Sequence, residues 1–232
     1  MCCEKTRIGA LAQMKKMTIA LVETPAAGTA DQPKRRGNRT TRVPQILEVA
    51  IKVFALGGGA GFTQTRVASD AGIRLNTLQH YFGTRDELLR STIEEMTKRY
   101  LVQYRALAKD KIRSPEERLD AIVDEVFGSL TGPGSIANGF ALHCWSLAEN
   151  EAFARDLMAE VIGEFQEVFS GLIAKINPSL PSGECTLRGA LILSHLQGLM
   201  VFTRRAGDNA PDLDALRAAT KVVWKALSTA SQ

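Results

Sequence analysis

The sequence has few cysteines and histidines, and neither is arranged as a metal site or a disulfide framework would require. The four cysteines among the 232 residues are Cys2, Cys3, Cys144 and Cys185, and none belongs to a C-x-x-C pair. The three histidines lie far apart in the sequence and lack the spacing of metal ligands. We therefore expect no metal, no cofactor and no disulfide scaffold.

Long apolar runs and strand patterns are also missing. No apolar run approaches the roughly 18 residues that a membrane span requires, and no segment shows the polar–apolar alternation of a half-buried strand. The apolar run of Ile19 to Val22 is shorter than the ~7 residues of a secretory signal. We interpret residues 1–32 as a disordered leader, with Met14 and Met17 as candidate translation starts. We expect a cytoplasmic protein without a membrane partner.

Charge is distributed unevenly along the chain. The net charge is +4, but residues 33–85 carry nine Lys and Arg against two acids, whereas residues 86–232 carry sixteen against twenty. Basic residues concentrated in one part of a chain favour binding to a polyanion such as nucleic acid. We expect residues 33–42 to form a basic arm, in which Arg39 and Arg42 are candidates for minor-groove contact. A solvated tail is the alternative.

Apolar residues recur at helical spacing along most of the chain, which predicts an all-α fold of about nine helices. The first helix should span residues 43–56 and end at Gly57. The glycine-rich segment that follows does not come after a strand, so we interpret it as a turn and not as a dinucleotide-binding loop. Thr63, Thr84 and Ser114 have the side chains and positions of helix N-caps.

Two of the predicted helices are short and are joined by a turn at Gly72, which fits a helix-turn-helix. Val67 and Leu78 would point inward and hold the angle between the two helices, so that one face of the second is free to enter a DNA major groove. That face carries the amide, hydroxyl and methyl groups that read base edges, on Asn76, Thr77 and Gln79. A solvated helix face is the alternative interpretation.

The run from Gly61 to Leu89, "GFTQTRVASDAGIRLNTLQHYFGTRDELL", resembles the TetR (tetracycline repressor) family of transcriptional regulators. With the preceding helix, the resemblance covers about a fifth of the chain. It implies a DNA-binding domain over residues 43–89 and an effector-binding and dimerisation domain over residues 90–232. It also implies a homodimer that binds double-stranded DNA at a pseudo-palindromic operator.

The resemblance further implies which residues contact DNA. The corresponding positions are Thr63, Gln64, Thr65, Arg74, Leu75, Asn76, Thr77, Gln79, His80, Tyr81 and Arg85. The first three lie at the start of the supporting helix, the last three at phosphate-contacting positions, and the others on the base-reading face. Gln79 stands where the family usually has Tyr, which makes it a candidate reader of adenine. Leu75 stands where a polar residue is common.

The middle helices carry aromatic side chains at helical spacing, which either fill the core or line a cavity for a small, mostly apolar effector. The candidate ligand contacts are Tyr100, Tyr104, Phe127, His143, Trp145, Phe165 and Phe169. A catalytic pair of His143 and Cys144 is not supported, because neighbouring residues on a helix point in different directions and no third group is evident. We therefore expect a protein that is not an enzyme.

The helix predicted from Cys185 to Arg205 is apolar nearly all round and needs cover on both sides. One side would meet the protein's own core, and the other would meet a two-fold partner in a four-helix bundle with the last helix. The candidate interface residues are Leu191, His195, Gly198, Phe202, Leu216, Val223 and Leu227.

Taken together, the resemblance, the candidate effector contacts and the candidate interface favour a repressor that releases DNA when a ligand binds. The alternatives are a ligand-independent regulator or activator and a helical enzyme.

Overall fold

The computed structural model of the chain describes residues 39–131 and 136–231. These ranges contain nine α-helices and no strand, so the predicted all-α fold is confirmed. In chain order the helices are α1 Arg39–Gly61, α2 Gln64–Asp70, α3 Leu75–Phe82, α4 Arg85–Ala108, α5 Pro115–Thr131, α6 Ala137–Asn150, α7 Ala152–Ile176, α8 Ser182–Arg205 and α9 Leu213–Thr229. The predicted leader, residues 33–38 of the predicted arm, Cys2 and Cys3 lie outside the described residues.

The predicted N-caps at Thr63, Thr84 and Ser114 are confirmed. The Thr63 hydroxyl accepts a hydrogen bond from the Arg66 amide at 3.1 Å. At Thr84 and at Ser114 the hydroxyl accepts from the amide three residues on, and the glutamate there accepts from the cap's own amide. Each cap satisfies helix-start donors that otherwise have no partner. Local sequence therefore fixes where α2, α4 and α5 begin.

The first helix is longer than predicted at both ends. It begins at Arg39 and not at residue 43, so Arg39 and Arg42 lie in a helix rather than in an extended arm. It also continues past Gly57 to Gly61, with a kink at Gly58, whose φ of 60° and ψ of −165° are not helical. Only glycine adopts such a backbone conformation readily, so the glycines bend the helix where a full stop was predicted.

Buried side chains form two core clusters. The first joins α1–α4 to α6 and the start of α7, and Phe54, Phe62 and Leu78 are among its fully buried members. The second joins α4, α5, α7, α8 and α9 around Phe169 and Trp224. The first cluster is not confined to residues 43–89, because α6 contributes to it. The helices predicted to bind DNA therefore share a core with the predicted effector domain.

Two helices, α1 and α8, are long and apolar enough to cross a membrane by length and composition alone. The same test is passed by core helices of proteins that do not enter membranes, so it is weak evidence. Eight residues of α1 are buried in the first core cluster or beside it. Packing inside the protein thus accounts for much of the apolar character of α1.

The kink gives a first test of the fold. A Cβ added at Gly58 would lie 2.7 Å from Nδ1 of His143 and would have to occupy the left-handed region. We expect Gly58→Ala to lower the free energy of unfolding by about 1–3 kcal/mol. Gly128→Ala is the matched control, since it lies in α5 with open space around it, and it should raise that free energy by about 0.5–1 kcal/mol. Urea denaturation measures the free energy of unfolding of both variants. A value for Gly58→Ala equal to that of the wild type would contradict the role given to the glycine kink.

Candidate DNA-recognition face and effector cavity

Helices α2 and α3 form a helix-turn-helix around a left-handed glycine. Gly72 has a φ of 64°, and the Ile73 amide donates to the Ala68 carbonyl at 3.0 Å to close the turn. Val67, Ala68 and Leu78 are buried where the two helices meet. Small and branched side chains thus lie at the contact between the two helices. The sequence predicted this inward position for Val67 and Leu78.

The outer face of α3 carries the side chains predicted to read bases. Arg74, Asn76, Gln79 and His80 are exposed, and Thr77 is half-buried beside them. Their spacing puts an amide pair and a hydroxyl on a helix narrow enough for a major groove. A base-reading role for these residues remains a prediction.

Other predicted contacts lie around this face. Thr63 and Thr65 are exposed at the start of α2, and Gln64 is half-buried between them. Leu75 and Tyr81 are half-buried and pack against the first core cluster. Leu75 therefore has a packing role, which explains an apolar residue at a position where a polar one was expected.

Arg85 was predicted to contact phosphate, and its half-buried side chain makes several polar contacts within the protein. Its Nε donates to the Phe62 carbonyl at 3.2 Å, and Nη2 donates to the Gly59 carbonyl at 2.9 Å. Its Nη1 pairs with Asp86 at 2.9 Å and lies 3.7 Å from a carboxylate oxygen of Glu151. These bonds engage the guanidinium, so Arg85 ties α4 to the α1–α2 connection and to the α6–α7 junction. A phosphate contact by Arg85 remains a prediction.

Arg39 and Arg42 also lie differently from the prediction. They belong to the first turns of α1, where Arg39 is exposed and Arg42 half-buried. A helix about 10–12 Å across cannot enter a minor groove about 6 Å wide. Only the side chains of Arg39 and Arg42 can therefore reach into the groove, and their minor-groove contact remains a prediction.

A cavity of about 120 Å³ lies among α4, α5, α6, α7 and α8. The structure brings Tyr100, Tyr104, Trp145 and Phe165, all predicted ligand contacts, together on its wall. The wall residues are Met96, Thr97, Tyr100, Tyr104, Val126, Ser129, Leu130, Ala137, Phe140, Ala141, Cys144, Trp145, Met158, Val161, Ile162, Phe165, Leu193, Leu196, Gln197 and Met200. None of these described wall residues is Asp, Glu, Lys or Arg.

Three predicted ligand contacts do not line the cavity. Phe127 is buried in the second core cluster, and Phe169 packs edge-on against Trp224 at 5.5 Å between ring centroids. His143 lies on the other side of α6, where its ring is 5.9 Å from that of Phe54 in α1. Helical spacing alone does not distinguish an aromatic residue that fills a core from one that lines a cavity. Gln197 and Met200 of α8 are wall residues that the sequence analysis missed.

The polar groups on the cavity wall are uncharged. Burial, with a smaller contribution from Glu125, raises the pKa of Tyr100 to about 12. Burial likewise raises the pKa of Tyr104 and of the Cys144 thiol. Hydroxyl, thiol and amide groups therefore face the cavity as neutral hydrogen-bonding groups. Cys144 lines the cavity, whereas His143 contacts Phe54 and the kink at Gly58, so the two neighbouring side chains point in different directions.

Helices α8 and α9 leave a row of apolar side chains at the surface. Leu187 is 56% exposed, Phe202 45% and Val222 68%, and Leu191 and Val223 are similarly exposed. Gly198 has open space around it. An exposed apolar surface of this kind is typical of an interaction site, and the dimer interface remains a prediction.

Three further residues predicted for the dimer interface make contacts within the chain. Leu216 and Leu227 are half-buried against the second core cluster. His195 is half-buried, and its Nδ1 accepts a hydrogen bond from Trp224 Nε1 at 2.9 Å. Burial lowers the pKa of His195 below its usual value, which keeps the ring neutral so that Nδ1 can accept.

No family model matches the chain, but proteins and solved structures do. The chain is 27% identical over 169 residues to the HTH-type transcriptional regulator BetI of Stenotrophomonas maltophilia, covering 71% of this chain and 82% of the relative. It is 25% identical over 190 residues to BetI of Burkholderia thailandensis, covering 81% and 94%. The chain is thus similar, over most of its length, to TetR-family helix-turn-helix transcriptional regulators.

Solved structures share the TetR-family fold over most of their length. The regulator FadR from Bacillus subtilis, in complex with stearoyl-CoA, matches with a TM-score of 0.64 and 19% identity over 82% of this chain and all of its own. A transcriptional regulator from Saccharomonospora viridis, in complex with choline, matches with a TM-score of 0.67 and 17% identity over 80% and 95%. A TetR-family member from Streptomyces coelicolor matches with a TM-score of 0.59.

The revised position of Arg85 can be tested by substitution. We expect Arg85→Ala to lower the free energy of unfolding by about 1–3 kcal/mol, because two partly buried carbonyls lose their donor. His80→Ala, on the exposed face of α3, should change it by less than about 0.5 kcal/mol. Chemical denaturation of the two variants measures the difference. Equal stability of Arg85→Ala and wild type would contradict this structural role of Arg85.

Proposed function

We propose that the chain is a homodimeric repressor that binds a pseudo-palindromic operator and releases it when a small, mostly apolar molecule occupies the cavity. The observation that carries this proposal is the position of α6, which borders the cavity on one side and the DNA-binding helices on the other. Allosteric coupling requires two distinct sites that bias one conformational equilibrium, and an element that contacts both sites is a candidate to carry it.

Phe140 makes the link most directly. Its side chain lines the cavity and also packs edge-on against Phe54 of α1, with 5.1 Å between ring centroids. One and two helical turns on, His143 and Leu147 sit against the kink of α1 at Gly58 and Gly59. A molecule that displaces Phe140 would therefore press on the helix that supports α2 and α3.

The junction after α6 adds a second contact. Glu151 is the single residue between α6 and α7, and it faces Arg85, which holds the Gly59 and Phe62 carbonyls. Both α6 and α7 line the cavity. A shift of either helix would move Glu151 and, through Arg85, the connection between α1 and α2.

The wall chemistry supports an uncharged, mostly apolar effector. Burying a charged group without a partner costs several kcal/mol, and the described wall offers no charged partner. A cavity of about 120 Å³ is below the roughly 300–1,000 Å³ of drug-sized ligand sites. An effector as large as the stearoyl-CoA of the B. subtilis structure would require the helices to separate.

Choline is a competing candidate for the effector, because aromatic rings also bind quaternary ammonium groups.

The effector proposal can be tested with indole and choline chloride as probes. The operator is first obtained by selecting binding sequences from a random DNA library with the purified protein. We expect indole to raise the melting temperature and to release the selected DNA, and choline to do neither. Ala141→Phe should fill the cavity, retain DNA binding and lose the response to indole.

Ala106→Phe is the matched control, because Ala106 is exposed on α4 away from the cavity. It should respond to indole like the wild type. A response to choline and not to indole would overturn the apolar class, and an unchanged response of Ala141→Phe would place the effector outside this cavity. Release by neither probe, with tight DNA binding, would favour the ligand-independent alternative.

The dimer is proposed from the exposed apolar face of α8 and α9. Leu187, Leu191, Phe202 and Val223 would be buried against the same residues of a two-fold partner, and Gly198 would let the two α8 helices approach closely. A dimer would also supply the second half-site contact that one helix-turn-helix lacks. The cytoplasmic location expected from the sequence stays a prediction.

Gly198→Glu tests the dimer without disturbing the subunit. Open space surrounds Gly198, so the glutamate fits in an isolated chain, but in the dimer each subunit would bury an unpaired carboxylate. We expect sedimentation at micromolar concentration to show a dimer for the wild type and a monomer for Gly198→Glu. The control Gly128→Glu, at an equally open helical position, should remain dimeric. A monomeric wild type would refute the proposal.

A further inference from the structure

We infer that Gln64 is a positioning residue that orients the amide of Gln79 to select adenine over guanine in the operator. The inference rests on the proposed operator binding and adds to it the base that is read and the residue that sets the reading. It is carried by three hydrogen bonds that connect the start of α2, the middle of α3 and the residue after α3.

The three bonds form a closed ring. The Gly83 amide donates to the Gln79 carbonyl at 2.8 Å, and Gln64 Nε2 donates to the Gly83 carbonyl at 2.8 Å. Gln79 Nε2 then donates to Gln64 Oε1 at 3.3 Å. Gly83 has a φ of 60°, a conformation suited to glycine, and this turn aims its carbonyl at α2. The ring thus joins side chains on two helices through one backbone turn.

The ring also determines which way each amide faces. A backbone carbonyl can only accept a hydrogen bond, so the atom of Gln64 that meets Gly83 must be its NH₂ group. Gln64 Oε1 is therefore the atom that meets Gln79, and only the NH₂ group of Gln79 can donate to it. The assignment of nitrogen and oxygen follows from the network, which is how amide orientations are decided.

This orientation leaves Gln79 with one free N–H and a free Oε1. Adenine presents the complementary pair in the major groove, an acceptor at N7 and a donor at N6. Guanine presents acceptors at both N7 and O6, so its O6 would face the Gln79 oxygen without a proton between them. Adenine is accepted and guanine is rejected by the same amide.

Gln64 adds a restraint that Gln79 lacks by itself. Gln79 is exposed on α3, whereas Gln64 is half-buried. A free glutamine side chain must lose rotamer freedom when it binds a base, and an amide that can turn over can present its NH₂ group to guanine instead. Holding the amide before DNA arrives lowers the ordering cost and removes the second orientation.

The test compares base preference in wild type, Gln64→Met, Gln79→Ala and the double variant. Methionine keeps the length of Gln64 without its hydrogen bonds. We expect one position in each half-site at which the wild type prefers adenine over guanine by roughly five- to 140-fold. Gln64→Met should reduce that ratio several-fold at this position only. In the double variant, Gln64→Met should have no further effect on the ratio.

The matched control is Ser69→Ala, at an exposed position of α2 that is not a predicted DNA contact. It should leave the adenine-to-guanine ratio unchanged, even if it weakens binding to every sequence. The inference is overturned if Gln64→Met keeps the wild-type ratio, if it weakens all sequences equally, or if no adenine position depends on Gln79. If the wild type still binds DNA sequence-specifically, any of these results leaves the proposed operator binding intact. A wild type that selects no sequence would refute both the operator binding and the role of Gln64.

Discussion

The contact between α6 and the kinked end of α1 is the constraint on which the rest of the structure depends. At Gly58 the backbone adopts a conformation open to glycine, and this lets the His143 ring sit where a side chain would stand. Phe140 and Leu147 extend the same contact into the first core cluster. As a result, α2 and α3, which present the recognition face, are supported by a helix, α1, that itself packs against α6 on the cavity wall.

This arrangement explains why the core is not divided at the predicted domain boundary. A DNA-binding unit with a separate core would sense little of what happens in the cavity. Here Phe54 of α1 packs against Phe62, Phe140 and His143, so aromatic contacts run from α6 to the start of α2. Closely packed interiors transmit displacement because they have few voids to absorb it.

Features encoded by neighbouring residues could be predicted from the sequence. The caps at Thr63, Thr84 and Ser114 and the left-handed turn at Gly72 depend on side chains within a few residues of each other, and all four are present. The all-α class followed from helical periodicity in the same way. These elements place the recognition face of α3 without reference to the rest of the chain.

Features that depend on distant residues could not be predicted. Arg85 binds carbonyls 23 and 26 residues away, and no local pattern indicates that its guanidinium turns inward. The extension of α1 through its glycines depends on α6, more than 80 positions further on. Helix α8 is apolar nearly all round, so its pattern did not separate the residues at the cavity, such as Gln197, from those at the surface, such as Phe202.

The central claim is that the cavity and the recognition face are coupled through α6. Coupling between two binding sites is reciprocal, so the operator must change effector affinity by the same factor by which the effector changes operator affinity. The most direct measurement is calorimetric titration of the protein with indole, in the presence and absence of saturating operator DNA. The account predicts a weaker indole Kd on DNA, by about 5- to 150-fold. Equal indole Kd values in the two titrations would contradict it.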